Sequence, residues 1–375
     1  MTGAHPSGGD STRLARTVAA YGLIGSLLDP PEVPLGEREF VRLHAAVRSQ
    51  RMTGLLWAAI TDDAFPVTTS QRDRALESHL QALAVALVLE RLLVETVGAF
   101  EAAGIPVRAL KGTASAHLDY PDPGMRTFGD IDLLVPSEAF DDAVASLTRA
   151  GNQRRFPQPR PGFDRRFSKG SSFRTPDGLE IDLHRTFAMG PFGARIPLRE
   201  LWARSETYVL AGTPVHCLPV EERLLHATYH AVLGGTTPRL VPLRDVAQIL
   251  LTQAVDVGRM HRLMSASRGD AVVARAIRLA WHELCLADVL ALSAWSESYR
   301  EDRQSAAELA VYGTGTSYAA KSFATVKAIP SLTHKARFAF ALALPERSYL
   351  EERQEGRAQR IRRGLAQILS LRSGR

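Results

Sequence analysis

Cysteine is almost missing from this chain. Its 375 residues include two, Cys217 and Cys285. Neither sits in a metal-type or redox-type spacing, so no zinc ribbon or disulfide framework can be built, and two isolated thiols predict a reducing, cytoplasmic setting. Aromatic residues are few, at 7%. The longest apolar run, residues 82–89, falls far short of the roughly 20 residues that a membrane-spanning helix needs. Residues 274–295 are broken by Arg275, Arg278, His282, Glu283 and Asp288, which predicts a buried helix and no membrane association. Residues 1–10 are small and polar with no apolar run after them, which predicts no signal peptide. A strong charge excess is absent as well: 46 basic against 40 acidic residues leave a formal charge of +6. That balance suits anionic ligands such as nucleotides and does not by itself indicate a nucleic-acid binder. No internal repeat is evident.

What is present favours helices around a small sheet. Hydrophobic residues make up 45% of the chain, enough for a sizeable core. Ala, Leu and Arg are abundant, a helix-forming composition. Residues 1–11 predict a disordered N-terminus, and 12–103 a helical region. Within it, 71–103 is clearest: leucines and valines recur at spacings of three and four, and Gly104 supplies the stop. The texture then changes. Residues 105–110 predict a strand, 112–120 a short helix ending before Pro121, and 130–135 a second strand. A helix follows Pro136, with Ser137 as its cap and Glu138 in its first turn, and ends at Gly151. Residues 152–174 are basic and irregular, with a strand around 167–173. Pro176-Asp177-Gly178 is a turn signal, and 179–187 predict the partner strand of a hairpin. From 220 onward the pattern is helical, with a loop at 313–317 and a strongly basic segment, 353–375. The fold class expected is α+β: a small mixed-sheet core (104–215), an N-terminal helical region (12–103) and a helical C-terminal domain with a basic tail (216–375).

The informative chemistry lies in Gly129-Asp130-Ile131-Asp132-Leu133-Leu134-Val135. Side chains alternate faces along a strand, so Asp130 and Asp132 share one face, while Ile131, Leu133 and Val135 share the other. Two carboxylates about 7 Å apart can bracket one or two divalent cations, and without a cation their like charges conflict. Residues 179–184 repeat the pattern, with Leu179, Ile181 and Leu183 on a buried face and Glu180, Asp182 and His184 on a polar one. Asp182 can join the pair if the two strands are neighbours. Leu110-Lys111-Gly112-Thr113 sits where a strand meets a helix. There Gly112 lets a phosphate approach the backbone, and the helix start favours an anion. Lys111 can add a positive charge, and Arg126 a bidentate phosphate contact.

The succession Lys111-Gly112, Tyr120-Pro121, Arg126, residues 130–135 and residues 180–184 resembles the bacterial uncharacterised nucleotidyltransferase family of the polymerase-β superfamily. The resemblance covers residues 105–187 at its core, and 224–250, with His226 and Arg244-Asp245, look similar to the family's C-terminal part. Lys111-Gly112-Thr113 stands where Gly-Ser is common in the superfamily. The resemblance implies an enzyme that moves a nucleoside monophosphate from an NTP such as ATP to an acceptor hydroxyl, releasing pyrophosphate. It implies two Mg²⁺ ions, with Mn²⁺ as the alternative, held by Asp130, Asp132 and Asp182. Lys111, Gly112, Thr113, Arg126 and Gly129 would then bind the nucleotide, and His184 would orient the acceptor. That acceptor is a small molecule, a peptide or a protein; nucleic acid is not favoured.

Each residue also has a plainer reading. Lys111 can be a surface lysine, Thr113 a helix cap, Arg126 one half of a structural salt bridge, and His184 a hydrogen-bonding partner within the sheet. His226 and His230, four apart with Glu222 a turn earlier, have metal-ligand spacing, but ordinary packing is the stronger reading. The basic stretch Arg154, Arg155, Arg160, Arg165, Arg166, Lys169 and Arg174 can guide a polyanion or be a solvated loop. Arg357, Arg360, Arg362 and Arg363 can contact nucleic acid or form an exposed helix face. Gly313-x-Gly315 lacks the strand and helix context of a dinucleotide loop. Two other functions stay open: a non-catalytic nucleotide- or peptide-binding adaptor in a biosynthetic or defence system, and an RNA-directed, toxin-like transferase.

Overall fold

The computed structural model describes residues 9–235, 237–287, 289–313 and 318–352. Three helices, α1 (Gly9–Ala20), α2 (Glu37–Ser49) and α3 (Thr53–Thr61), precede the 34-residue α4 (Thr69–Ala102). Thr68 and Gln71 set where α4 begins. The Thr68 hydroxyl accepts from the Gln71 N–H, and the Gln71 side chain accepts from the Thr68 N–H, a reciprocal capping box. Gly104, at φ +68°, ends it. Between these ends Leu89, Leu93, Val97 and Phe100 form a buried stripe. Each such side chain contributes about 1.5–3 kcal/mol when fully buried.

The chain then alternates: β1 (Arg108–Ala109), α5 (Lys111–Leu118), β2 (Ile131–Leu134), α6 (Phe140–Arg149), β3 (Gln153–Arg154), α7 (Asp164–Phe167), β4 (Gly170–Arg174) and β5 (Glu180–His184). After α8 (Leu198–Ala203) comes a hairpin, β6 (Glu206–Leu210) and β7 (Thr213–Cys217). Together these strands make a seven-stranded mixed sheet in the order β3-β4-β5-β2-β1-β7-β6. The expected hairpin of β4 and β5 forms, turning through Gly178 at φ +86°. The β6–β7 hairpin was not anticipated. Its turn residues, Ala211 and Gly212, both lie at positive φ, and Ala-Gly is a weak signature for such a turn. Two local expectations are corrected. Residue 167 closes the short helix α7, so β4 starts at Gly170. Ser137 does not cap α6, which begins after Ala139, and the Ser137 hydroxyl is buried without a hydrogen-bond partner.

The sheet has two unlike faces. Ile131, Leu133 and Val135, with Phe173, Ile181, Leu183, Val215 and Cys217, pack under α4 and α6 in one apolar core. The opposite face carries Asp132 and Asp182, while Leu134 enters a second core. That core joins α1–α3 to α9 (Val220–Leu233), α10 (Leu240–Thr252), α11 (Val257–Ser267), α12 (Asp270–Glu283) and α13 (Ala291–Ser298). The N-terminal and C-terminal helices therefore share one interior. Beyond them lie α14 (Arg303–Ala310), α15 (Tyr318–Ala328), α16 (Leu332–Ala343) and α17 (Arg347–Glu352). Phe338 of α16 and Ile329 pack on Phe163, at α7. Residues 353–375, with the arginines of the basic tail, and most of the 313–317 loop lie outside the described residues.

Candidate active site

Strands β2 and β5 run parallel with Asp132 directly opposite Asp182 and Leu134 opposite His184. Neighbouring strands lie about 4.8 Å apart, so the two carboxylates are forced together by register alone. Ligand atoms of Asp132, Asp182 and His184 all lie within 4.8 Å of one another, a separation suited to a shared cation. The Asp182 carboxylate accepts a 2.5 Å hydrogen bond from the Ser172 hydroxyl on β4. Asp130 precedes β2. Its carboxylate faces the Lys111 ammonium at 4.0 Å and the Arg51 guanidinium at 3.4 Å.

Lys111 occupies the centre of this arrangement. The Leu110 N–H donates to the Asp132 carbonyl at 2.9 Å, which fixes the end of β1 beside β2. The chain then turns into α5 through Gly112, whose φ of +35° is a conformation that side-chain-bearing residues avoid. This kink brings the Lys111 Nζ to 2.7 Å from Asp132 Oδ2. Burial alone would depress the lysine, but Asp132 and Asp130 more than reverse it, and its pKa is raised. Burial opposes the charge of Asp132 too, yet Lys111 and the His184 hydrogen bond hold it well below the usual carboxylate range. His184 Nε2 lies 2.8 Å from Asp132 Oδ1. Burial and the nearby Lys169 lower the His184 pKa, so the ring is neutral. Because the carboxylate can only accept, Nε2 carries the proton and donates it. The Nδ1 atom is buried without a partner.

The remaining expected residues divide. Gly112 lies against the site and Thr113 follows it, but the Thr113 hydroxyl accepts from Tyr208 at 3.0 Å inside the fold. Gly129 leaves room for the Arg51 guanidinium, which an added Cβ would meet at 2.6 Å. Arg126 is engaged in a structural salt bridge within the protein. Its Nε and Nη2 donate to Asp245 at 2.8 Å each, and its Nη1 donates to the Thr127 carbonyl at 2.7 Å. His184 is likewise engaged within the sheet, by Asp132. His226 packs its ring on Phe187, with centroids 4.7 Å apart, and belongs to no metal-ligand cluster among the described residues.

Sequence reasoning missed Arg51, Ser172 and the position of Lys169. Arg51 lies some 80 residues before the acids in sequence (79 from Asp130), and nothing in its own segment marks it. Lys169 is one of only five lysines in the chain, as is Lys111; that rarity is the signal that could have drawn attention to both. Burial and the Lys111 charge lower the Lys169 pKa, and no carboxylate lies within ion-pair distance of it among the described residues. The rest of the basic stretch is largely engaged. Arg154 binds Asp164, Arg155 binds Glu180, Arg165 binds Asp141, and Arg166 donates to the Gly162 carbonyl. Beside Asp182 and His184 opens a cavity of about 350 Å³, lined also by Phe156, Phe163, Lys169, Met189 and Tyr349.

This geometry invites comparison with known proteins. The model of a family described as uncharacterised nucleotidyltransferase matches residues 36–295. The chain belongs to that family. The match spans α2 to α13 and therefore both carboxylate strands. No curated protein matches the sequence. Among solved structures, the antibiotic-resistance factor ANT(2'')-Ia is similar over 52% of this chain and 95% of its own, at 18% identity and a TM-score of 0.35. The lincosamide antibiotic adenylyltransferase LnuA, bound to lincomycin, is similar over 42% and 93%, at 14% identity and a TM-score of 0.30. An antigenic nucleotidyltransferase-like protein from Paracoccidioides brasiliensis is similar over 54% and 92%, at 15% identity and a TM-score of 0.32. Likeness this loose transfers neither an acceptor nor a residue role. Membership of the nucleotidyltransferase family makes the chain an enzyme of nucleotidyl transfer. No helix among the described residues is long and apolar enough to cross a membrane.

Proposed function

We propose that this nucleotidyltransferase transfers a nucleoside monophosphate from an NTP to an acceptor hydroxyl and releases pyrophosphate, with Asp130, Asp132 and Asp182 holding divalent cations. The observation that carries the reading is the pairing of Asp132 with Asp182 across β2 and β5, with the Lys111 ammonium 2.7 Å from Asp132 Oδ2. The donor set fits the ion. Asp132 Oδ2 is buried and lacks a properly directed hydrogen bond, although Lys111 is beside it. Carboxylate oxygens suit Mg²⁺ and Mn²⁺.

A bound divalent cation supplies charge neutralisation at the triphosphate and lowers the pKa of the attacking hydroxyl. The chain's own residues do the rest. Lys111, freed from Asp132, turns to the triphosphate and offsets charge on the departing pyrophosphate. The backbone at Gly112 and Thr113, where α5 begins, lies beside the phosphates. Asp182, held by Ser172, accepts the acceptor's proton. His184 acts through Asp132: its Nε2–H fixes the rotamer of that carboxylate.

Incubation with an α-phosphate-labelled NTP and a host extract, followed by identification of the labelled product, tests the proposal. Asp182→Asn removes one charge from one of the two half-buried members of the trio. Its labelling is expected to fall by a factor on the order of a thousand, with the melting curve of the folded protein retained. Labelling at the wild-type level in that variant would remove the mechanism.

A further inference from the structure

The cavity beside Asp182 is lined by that carboxylate and by His184, and its lining is specific enough to read. At about 350 Å³ it stands at the small end of the roughly 300–1,000 Å³ typical of small-molecule sites. Phe156, Phe163, Met189 and Tyr349 give it aromatic and apolar walls. Its charges are unequal in availability. Asp164 is bound by Arg154, and Asp182 belongs to the proposed cation site. Lys169 is the one cationic lining residue, and no ion pair engages it among the described residues.

The far wall comes from a distinct part of the chain. The Glu346 N–H donates to the Pro159 carbonyl at 2.9 Å, and Arg160 Nε donates to the Leu344 carbonyl at 2.6 Å. Arg160 also lies over the Phe340 ring, 4.4 Å from its centre. These contacts bring Tyr349 of α17 to the cavity. Residues 296–352 lie beyond the family match, which ends at 295. The part of the wall that α17 supplies therefore lies outside the family match, and an acceptor-selecting surface need not belong to the shared core.

We propose that this cavity is the acceptor subsite and that it takes a small, mainly apolar hydroxylated acid, whose acidic group meets Lys169 and whose hydroxyl reaches Asp182. This rests on the transfer reaction proposed above. In the reaction, the acceptor oxygen forms a bond to the α-phosphorus, the bond from that phosphorus to the pyrophosphate oxygen breaks, and the hydroxyl proton passes to Asp182. A polyamine finds no available carboxylate here, since Arg154 engages Asp164 and the proposed cation site engages Asp182. An RNA finds no track of free arginines, because those of the neighbouring loop are largely engaged within the protein.

The test uses the full chain and 8-anilinonaphthalene-1-sulfonate, an aromatic anion that fluoresces when bound in apolar surroundings. Wild type should bind the probe, 3-(4-hydroxyphenyl)propionate should displace it, and spermine and a short RNA should not. Lys169→Gln, which removes the charge, and Met189→Trp, which fills the space, should each weaken probe binding at least tenfold with unchanged melting curves. Undiminished binding in both variants, or displacement by spermine or RNA, overturns the proposal. A thermal shift requiring both Mg²⁺ and ATP, and lost in Asp132→Asn, reads the nucleotide site separately. Its absence in wild type, with the probe results as expected, would count against the transfer reaction and leave the cavity's ligand class standing.

Discussion

Replacing Asp245 by Ala should destabilise the protein severely without any change at the carboxylate strands. The Asp245 carboxylate accepts from Arg126 Nε and Nη2 and from the Tyr120 hydroxyl, all at 2.8 Å. Arg126 is 6% exposed and Asp245 3%. Asp245 belongs to α10, whereas Arg126 and Tyr120 belong to the segment leading into β2, so the cluster locks the helical body to the sheet. Removing one partner of a buried pair leaves the other charge uncompensated, at a cost of about 3–5 kcal/mol. At about 2 °C per kcal/mol for a chain of this size, the melting temperature falls by about 6–10 °C. Calorimetry on wild type and Asp245→Ala measures it. The double variant Arg126→Met/Asp245→Leu should recover most of the loss, because an apolar pair leaves no buried charge. The same double variant decides what Arg126 does. As a structural partner its loss leaves nucleotide affinity nearly unchanged; as a phosphate ligand its loss would cost tenfold or more. A melting point within about 2 °C of wild type for Asp245→Ala, or tenfold weaker ATP binding in the stable double variant, would refute the reasoning.

Lys111→Met should tighten Mn²⁺ binding in the absence of nucleotide about tenfold, since it removes the ammonium that competes for Asp132, and should weaken binding of the triphosphate. Titration calorimetry reads both, and unchanged Mn²⁺ affinity would show that Lys111 does not occupy the cation position. Cys217 is fully buried, and burial pushes its thiol up to about 12, whereas Cys285 is only partly buried. At pH 8 a disulfide reagent should therefore titrate one thiol in the native protein and two in guanidinium; two fast-reacting native thiols would contradict the packing of β7.

How far the sequence could be read depends on whether a feature is local. The alternation in 130–135 and 179–184 settles which side chains share a face of β2 and of β5, and the structure buries Ile131, Leu133, Ile181 and Leu183 as that alternation requires. The turn at Gly178 is a local feature too. What the alternation leaves open is which strands are neighbours. That Asp132 faces Asp182 follows from a parallel pairing between segments about 50 residues apart, and nothing in either segment states it. Arg126 illustrates the same limit: its partner, Asp245, is 119 residues away, so a salt bridge and a phosphate contact look alike in sequence. The β6–β7 hairpin escaped because Ala211 holds a positive φ that its residue type does not announce. Lys169 lay within a basic stretch that looked uniform, and only packing separates it from arginines engaged by Asp141, Asp164 and Glu180.

Diffraction from crystals soaked with Mn²⁺ and a non-hydrolysable ATP analogue, recorded at a wavelength where manganese scatters anomalously, puts the account to its most direct test. An anomalous peak within about 2.0–2.6 Å of carboxylate oxygens from both Asp132 and Asp182, with Lys111 turned toward the phosphates, is the expected result. Manganese bound elsewhere, with the Lys111 ammonium still against Asp132 and the analogue in place, would contradict it.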